Sequence, residues 1–391
     1  MKIRHVLAKM RFPTDPGRQG ASGVVGAALS IARWQVRWGH SVEIFGWNPS
    51  EGSLHLLVDG VRVWVSPAWL WAKFGRYDWR WFLPVVSKSI SSASPDILHG
   101  HACHHFLWAL RSKVRILHLQ MLSPDPCPIA DLRAFHQADA VICCSNYIKR
   151  QFLKVTQYAE DYVFVVHNGA DLPSFDQADG SKFRQDMGIE REEVVLLYAG
   201  ALIEEKGPHN LLKALLKVIG DHKVRLWIAG TSAFWTGGYW QQSELNQVSS
   251  YEHELRRLAS ELPVQFLGIV PYDAMAPIYK AADIVVVPSI YEDPHPTVVA
   301  EAMAAAKPVI GCRVGGITET ILNGRTGFLV APESVSELAE AIARLIANPD
   351  LRQRMSHAAR KHAEEFSWER SADKTLEIYN EMLARKGYRL D

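Results

Sequence analysis

Apolar residues fall in short runs set between longer stretches that carry one apolar face. The runs at 3–8, 42–45, 96–99, 114–118, 140–144 and 162–166 are short and rich in Val, Ile and Leu, whereas residues 24–38 place apolar side chains at helical spacing. Strands alternating with helices predict parallel sheets covered on both faces, because the crossover that joins two parallel strands lies against the sheet. A second series at 194–199, 224–229, 264–267, 284–287, 309–312 and 328–330 repeats the pattern. The chain reads as two tandem Rossmann-like, doubly wound α/β domains.

The length of 391 residues agrees, since one hydrophobic core seldom organises so long a chain. The polar stretch 168–186 separates the two series and is the expected linker. This gives domains of 1–170 and 171–366, followed by a last helix in 367–391 with Leu376, Tyr379 and Leu383 on one face. Open α/β sheets bind ligands beyond the carboxyl ends of their strands, so two such domains facing across a deep cleft would put function in that cleft.

Charge excludes some partners. Lys and Arg number 43 against 42 for Asp and Glu, so nothing draws the whole chain to nucleic acid. The five cysteines lack metal-ligand spacing and fit a reduced, cytoplasmic protein. The opening residues are too interrupted for a signal h-region and no later stretch spans a bilayer uncharged, which limits membrane contact to a peripheral one on the inner face.

The most informative segment, Ser289-Ile290-Tyr291-Glu292-Asp293-Pro294-His295-Pro296-Thr297-Val298-Val299-Ala300-Glu301-Ala302-Met303, follows a buried strand. Pro296 suits a helix start, which leaves the backbone N–H groups of Thr297 and Val298 for an oxygen-rich ligand such as phosphate. Thr297 and Glu301 share a helix face, where a carboxylate can accept two hydrogen bonds from a vicinal diol such as ribose. Asp293 could bind sugar hydroxyls. On spacing alone, Glu301 could equally be a solvated carboxylate and Asp293 a helix cap.

The segment resembles the donor-site motif of retaining GT-B glycosyltransferases of family 4, two glutamates eight apart followed by Ala-Met. Asp293 stands at the first glutamate and Glu301 at the second. Similar stretches recur in order: Tyr198-Ala199-Gly200-Ala201-Leu202-Ile203-Glu204-Glu205-Lys206-Gly207, Val166-His167-Asn168-Gly169-Ala170-Asp171, Gly315-Gly316-Ile317-Thr318-Glu319 and Asn323-Gly324-Arg325-Thr326-Gly327. The resemblance implies that Asp293 contacts the donor sugar, Glu301 the ribose and Lys206 the pyrophosphate, with His295, Thr297 and Val298 in the same donor site. It makes 171–366 the donor domain and 1–170 the acceptor domain, on which the helix after Phe366-Ser367-Trp368 packs back. Two residues depart from the pattern: Ala201 replaces a usual Arg, for which Arg313 could compensate, and Pro296 replaces a usual Gly.

In the first half, Gly17-Arg18-Gln19-Gly20-Ala21-Ser22-Gly23-Val24-Val25-Gly26 sits between the first strand and helix but lacks the dinucleotide spacing. The resemblance implies that Gly20 and Gly23 belong to a loop over the donor phosphates. His99, His101, His104, His105 and His118 cluster in sequence. No helical His-x3-His pair with a nearby carboxylate accompanies them, so strand-end structural roles are expected and no metal. The resemblance implies that His118 approaches the donor sugar and acceptor, with His101 as its reserve. The aromatic segment Trp64, Trp69, Trp71, Phe74, Tyr77, Trp79, Trp81, Phe82 fits either packing or an acceptor or membrane platform.

The expected activity is retaining transfer of a sugar from a UDP-, GDP- or ADP-type donor to a glycan, lipid-linked or small-molecule acceptor, in bacterial polysaccharide synthesis. His118, Lys206 and Asp293 are the expected catalytic residues, with no cofactor and no metal. A nucleotide-sugar epimerase, which needs no acceptor, and a non-catalytic nucleotide-sugar-binding protein are the rivals.

Overall fold

The computed structural model describes residues 1–11, 23–48, 54–67, 94–101, 111–122, 135–220, 222–232 and 248–388. They form two compact units, one running to Asn168 and resuming at Trp368, the other Gly169–Ser367.

The first unit holds β1 (Lys2–Arg11), β2 (Ser41–Asn48), β3 (Leu54–Val58), β4 (Val61–Pro67), β5 (Ile97–His101), β6 (Val114–Leu119), β7 (Ala140–Cys143) and β8 (Val163–Val165), in the order β3-β4-β2-β1-β5-β6-β7-β8. Every neighbouring pair is parallel except β3 and β4. Alternation sends Ile3, Ile97, Val114 and Ile116 to one face, where the helices Gly23–Arg37 and Trp368–Arg385 cover them with residues such as Val25, Leu29, Tyr379 and Met382. Val6, Leu98, Leu117 and Val141 go to the other face, under Ile148 and Phe152.

The second unit holds β9 (Val194–Ala199), β10 (Val224–Ala229), β11 (Val264–Gly268), β12 (Ile284–Val287), β13 (Val309–Cys312) and β14 (Gly327–Val330), all parallel in the order β11-β10-β9-β12-β13-β14. Its strands are buried on both sides, which is why they read as unbroken apolar runs. The chain reverses direction across the sheet between β1 and β5 in the first unit and between β9 and β12 in the second. These are the switch points beyond which doubly wound sheets bind ligands.

One local expectation is corrected. Residues 54–67 form an antiparallel hairpin instead of continuing a purely parallel sheet. Its turn residues Asp59 and Gly60 take φ of 48° and 82°, the paired positive angles of the tight hairpin turn that Asp-Gly favours. The stretch 168–186, which contains the crossing between the units at Asn168–Gly169, holds two short helices, Leu172–Gln177 and Ser181–Asp186, with Phe175 buried in the second core.

Candidate active site

The strand β9 ends in a tight turn, Glu204–Lys206, closed by Gly207 at φ 67° ahead of the helix Pro208–Leu216. A Cβ on Gly207 would lie 2.1 Å from the carbonyl oxygen of Pro288, so only glycine lets this turn meet the loop that follows β12. That loop is fastened along its length. The Ile290 N–H donates to the Glu205 carbonyl at 2.9 Å, the Gly316 N–H to the Asp293 carbonyl at 2.8 Å, and the Gly315 N–H to the Glu292 carboxylate at 2.6 Å.

Between turn and loop, Lys206 Nζ donates to Asp293 Oδ2 at 2.6 Å, and the Ser289 hydroxyl reaches the same oxygen at 3.2 Å. The ammonium also stands 5.0 Å over the Tyr291 ring. Asp293 is 3% exposed, so these donors take the place of water around its carboxylate. Burial works against the Lys206 charge, but the Asp293 carboxylate and the Tyr291 hydroxyl outweigh it and hold the lysine pKa above its ordinary value. The pair thus presents a fixed cation at the carboxyl ends of β9 and β12.

The helix Thr297–Ala304 begins four residues after Asp293, with Pro296 as its cap residue. Its first N–H groups, those of Thr297 and Val298, are the ones that helix geometry leaves without acceptors. One turn on, the half-buried Glu301 accepts from the Tyr279 hydroxyl at 2.8 Å and from the Thr297 hydroxyl. Burial raises the Glu301 pKa, and these two bonds only partly offset it. His295 is turned inward, bonded to Thr320 at 3.1 Å and stacked 5.9 Å from Phe366. Arg313 is exposed and donates to the Leu329 carbonyl at 2.9 Å, while the Ala201 carbonyl takes the Tyr198 hydroxyl at 2.6 Å.

In the first unit, His101 ends β5 and His118 lies near the end of β6, in register with each other and with ring centroids 5.2 Å apart. Gln120 donates to His118 Nε2 at 3.1 Å and accepts from the Asn168 amide at 2.9 Å. Gly23 opens the first helix; Gly20 lies outside the described residues, as do Trp69, Trp71 and the rest of the aromatic segment except Trp64. Trp64 stacks on Phe45 at 6.1 Å. Sequence reasoning did not single out Tyr279 or Ser289 as partners of the two carboxylates, nor His5, which joins the histidines through strand register.

The same chain matches known families along both halves. The model for glycosyl transferases group 1 matches residues 179–362, and that for glycosyltransferase family 4 matches residues 21–173. The D-inositol 3-phosphate glycosyltransferase of Corynebacterium glutamicum is 32% identical over 418 residues, covering 97% of each chain. The chain belongs to the GT-B glycosyltransferases of family 4.

A glycosyltransferase of Methanocaldococcus jannaschii is 30% identical over 388 residues, 91% of this chain and 94% of that one. Among solved structures, sucrose-phosphate synthase from Thermosynechococcus elongatus superposes with a TM-score of 0.78 at 20% identity, covering 98% of this chain and 99% of that one. Anabaena HepE in complex with UDP and glucose gives 0.73 at 22%, covering 97% and 100%. These likenesses establish the GT-B fold. The protein is therefore a sugar-transferring enzyme, and among its described residues no helix is long and apolar enough to cross a membrane.

Proposed function

We propose that this glycosyltransferase takes its sugar from a nucleotide-sugar donor of the UDP, GDP or ADP type, held by the Gly169–Ser367 unit without a metal ion at the diphosphate. The observation that carries the reading is the Lys206–Asp293 pair, with its fixed ammonium at a switch point, in a loop that leads into a helix N-terminus. Both features favour a diphosphate. Glu301 accepts the ribose hydroxyls, and Asp293 holds Lys206 in place and positions the sugar. The complex of Anabaena HepE with UDP and glucose supports a donor of this kind.

Transfer proceeds with retention. The acceptor oxygen bonds to the anomeric carbon on the face from which the diphosphate departs, the carbon–oxygen bond to the diphosphate breaks with its electron pair, and the acceptor proton passes to the departing phosphate oxygen. Lys206 and the N–H groups of Thr297 and Val298 stabilise the charge that grows there, an effect worth about a hundredfold to a thousandfold in rate for one such donor. His118 lies against donor sugar and acceptor. The acceptor is a hydroxyl of a glycan, a lipid-linked sugar or a small molecule, and polysaccharide synthesis on the cytoplasmic side is the setting we infer from the class resembled.

Nucleotide release measured with and without candidate acceptors tests this reading. Acceptor-dependent release with a new α-linkage from an α-linked donor agrees with it. Inversion at the anomeric carbon, or conversion of donor with no acceptor present, contradicts it.

A further inference from the structure

Four histidines line one face of the first sheet at its switch point. His99 and His101 are two apart on β5 and share that face; His5 on β1 is in register with His99, and His118 on β6 with His101. All four are buried, at 1% exposure or less. Ring centroids are 4.9 Å apart for His5 and His99, 4.3 Å for His99 and His101, and 5.2 Å for His5 and His101.

Their hydrogen bonds leave nitrogens over. Gln35 Nε2 faces the Tyr379 hydroxyl at 3.5 Å, so its Oε1, 2.8 Å from His5 Nε2, accepts a hydrogen bond from the N–H of that nitrogen. His5 Nδ1 is then a bare lone pair, and His101 Nε2, 2.9 Å away, donates to it. His99 Nδ1 pairs with the Tyr379 hydroxyl. His99 Nε2 is buried without any partner, an arrangement that folded proteins seldom keep without a ligand or water; His101 Nδ1 and His118 Nδ1 are unpartnered too but lie outside the ligating set proposed below.

We propose that His5, His99 and His101 form a site for a divalent transition-metal ion, zinc above all. One ring nitrogen from each of the three lies within 4.8 Å of the others. Tetrahedral zinc with Zn–N bonds of about 2.0–2.1 Å sets its nitrogens about 3.4 Å apart. The His5–His101 pair is already inside that span, and rotation about the soft imidazole torsion brings in His99. Gln35 on His5 and Tyr379 on His99 occupy the far nitrogens, where ligating histidines need a partner to fix ring and tautomer. On binding, His101 moves its proton from Nε2 to Nδ1, so three neutral imidazoles meet the cation with no net loss of a proton. The ion would tie β1 to β5 and is separate from the phosphate chemistry proposed for Lys206.

The test uses full-length, untagged protein stripped with a chelator and dialysed against zinc chloride. Elemental analysis should find about one zinc per chain in the wild type and under a fifth of that in a His99→Gln/His101→Gln variant that keeps its circular dichroism spectrum. X-ray absorption on the wild type should show imidazole nitrogens at about 2.0–2.1 Å, and it decides alone if the variant does not fold. A wild type that keeps no zinc, a folded variant that keeps all of it, or a shell of sulfur or oxygen ligands overturns the proposal.

Discussion

Lys206 and Asp293 stand 87 positions apart in the chain and 2.6 Å apart in space. The contact exists because β9 and β12 are neighbours in the sheet, so the turn after one meets the loop after the other. An ion pair there fastens two loops as well as placing a charge.

These two roles separate in variants. Lys206→Met leaves the buried Asp293 carboxylate without its cation, which costs about 3–5 kcal/mol of stability and lowers turnover about a hundredfold or more. Lys206→Met/Asp293→Asn should recover most of the melting temperature and none of the turnover. Calorimetry beside steady-state kinetics checks this; recovery of both together would reduce Lys206 to a structural residue.

Glu301 carries the proposed ribose contact. Glu301→Ala removes charge-assisted hydrogen bonds worth about 1.5–3 kcal/mol, a loss of roughly tenfold to a hundredfold in nucleotide affinity. Burial raises the Glu301 pKa, and a protonated carboxyl accepts poorly, so affinity should decline as pH falls through that raised value. Titration calorimetry across the acid range reads this slope, and Glu301→Gln should flatten it.

The fold was legible where both faces of a strand are buried. Parallel strands such as β9 and β12 cannot alternate in polarity, so Val194–Ala199 and Ile284–Val287 announce themselves as apolar blocks. The hairpin at 54–67 was missed although Asp59-Gly60 signals it, because the βα alternation around it dominated the reading. Asp293, Glu301, Lys206 and Thr297 were singled out through motif order; Ser289 and Tyr279, which bond to the two carboxylates, were not. Tyr279 meets Glu301 from the end of a neighbouring helix, and His5 meets His99 only through sheet register, relationships that no local spacing expresses.

The buried histidines make stability pH-dependent. Burial depresses His5 to about 4, against the Gln35 bond, and His118 to about 3, helped by the charge of His5. Their bonded neighbours are Gln35, Tyr379, Gln120 and one another, with no carboxylate among them. The unfolded chain takes up protons as pH falls through about 6.5, while the folded chain does not until far lower. Stability is therefore complete above that value and lost below it, at about 1.4 kcal/mol per pH unit for each such histidine. In protein stripped of metal, denaturant midpoints should drop steeply from about pH 7 to pH 5, and His5→Gln/His118→Gln should soften the drop.

The central claim, a donor nucleotide held in the Gly169–Ser367 unit without metal, is tested most directly by thermal shift in chelator against UDP, GDP, ADP and their sugars, with wild type beside Glu301→Ala. Ligand at a hundred times its dissociation constant stabilises by about 2.7 kcal/mol, a rise of several degrees for a chain of this size. The account predicts that rise with one nucleotide series and its loss in Glu301→Ala; no rise with any series, or an equal rise in the variant, would contradict it.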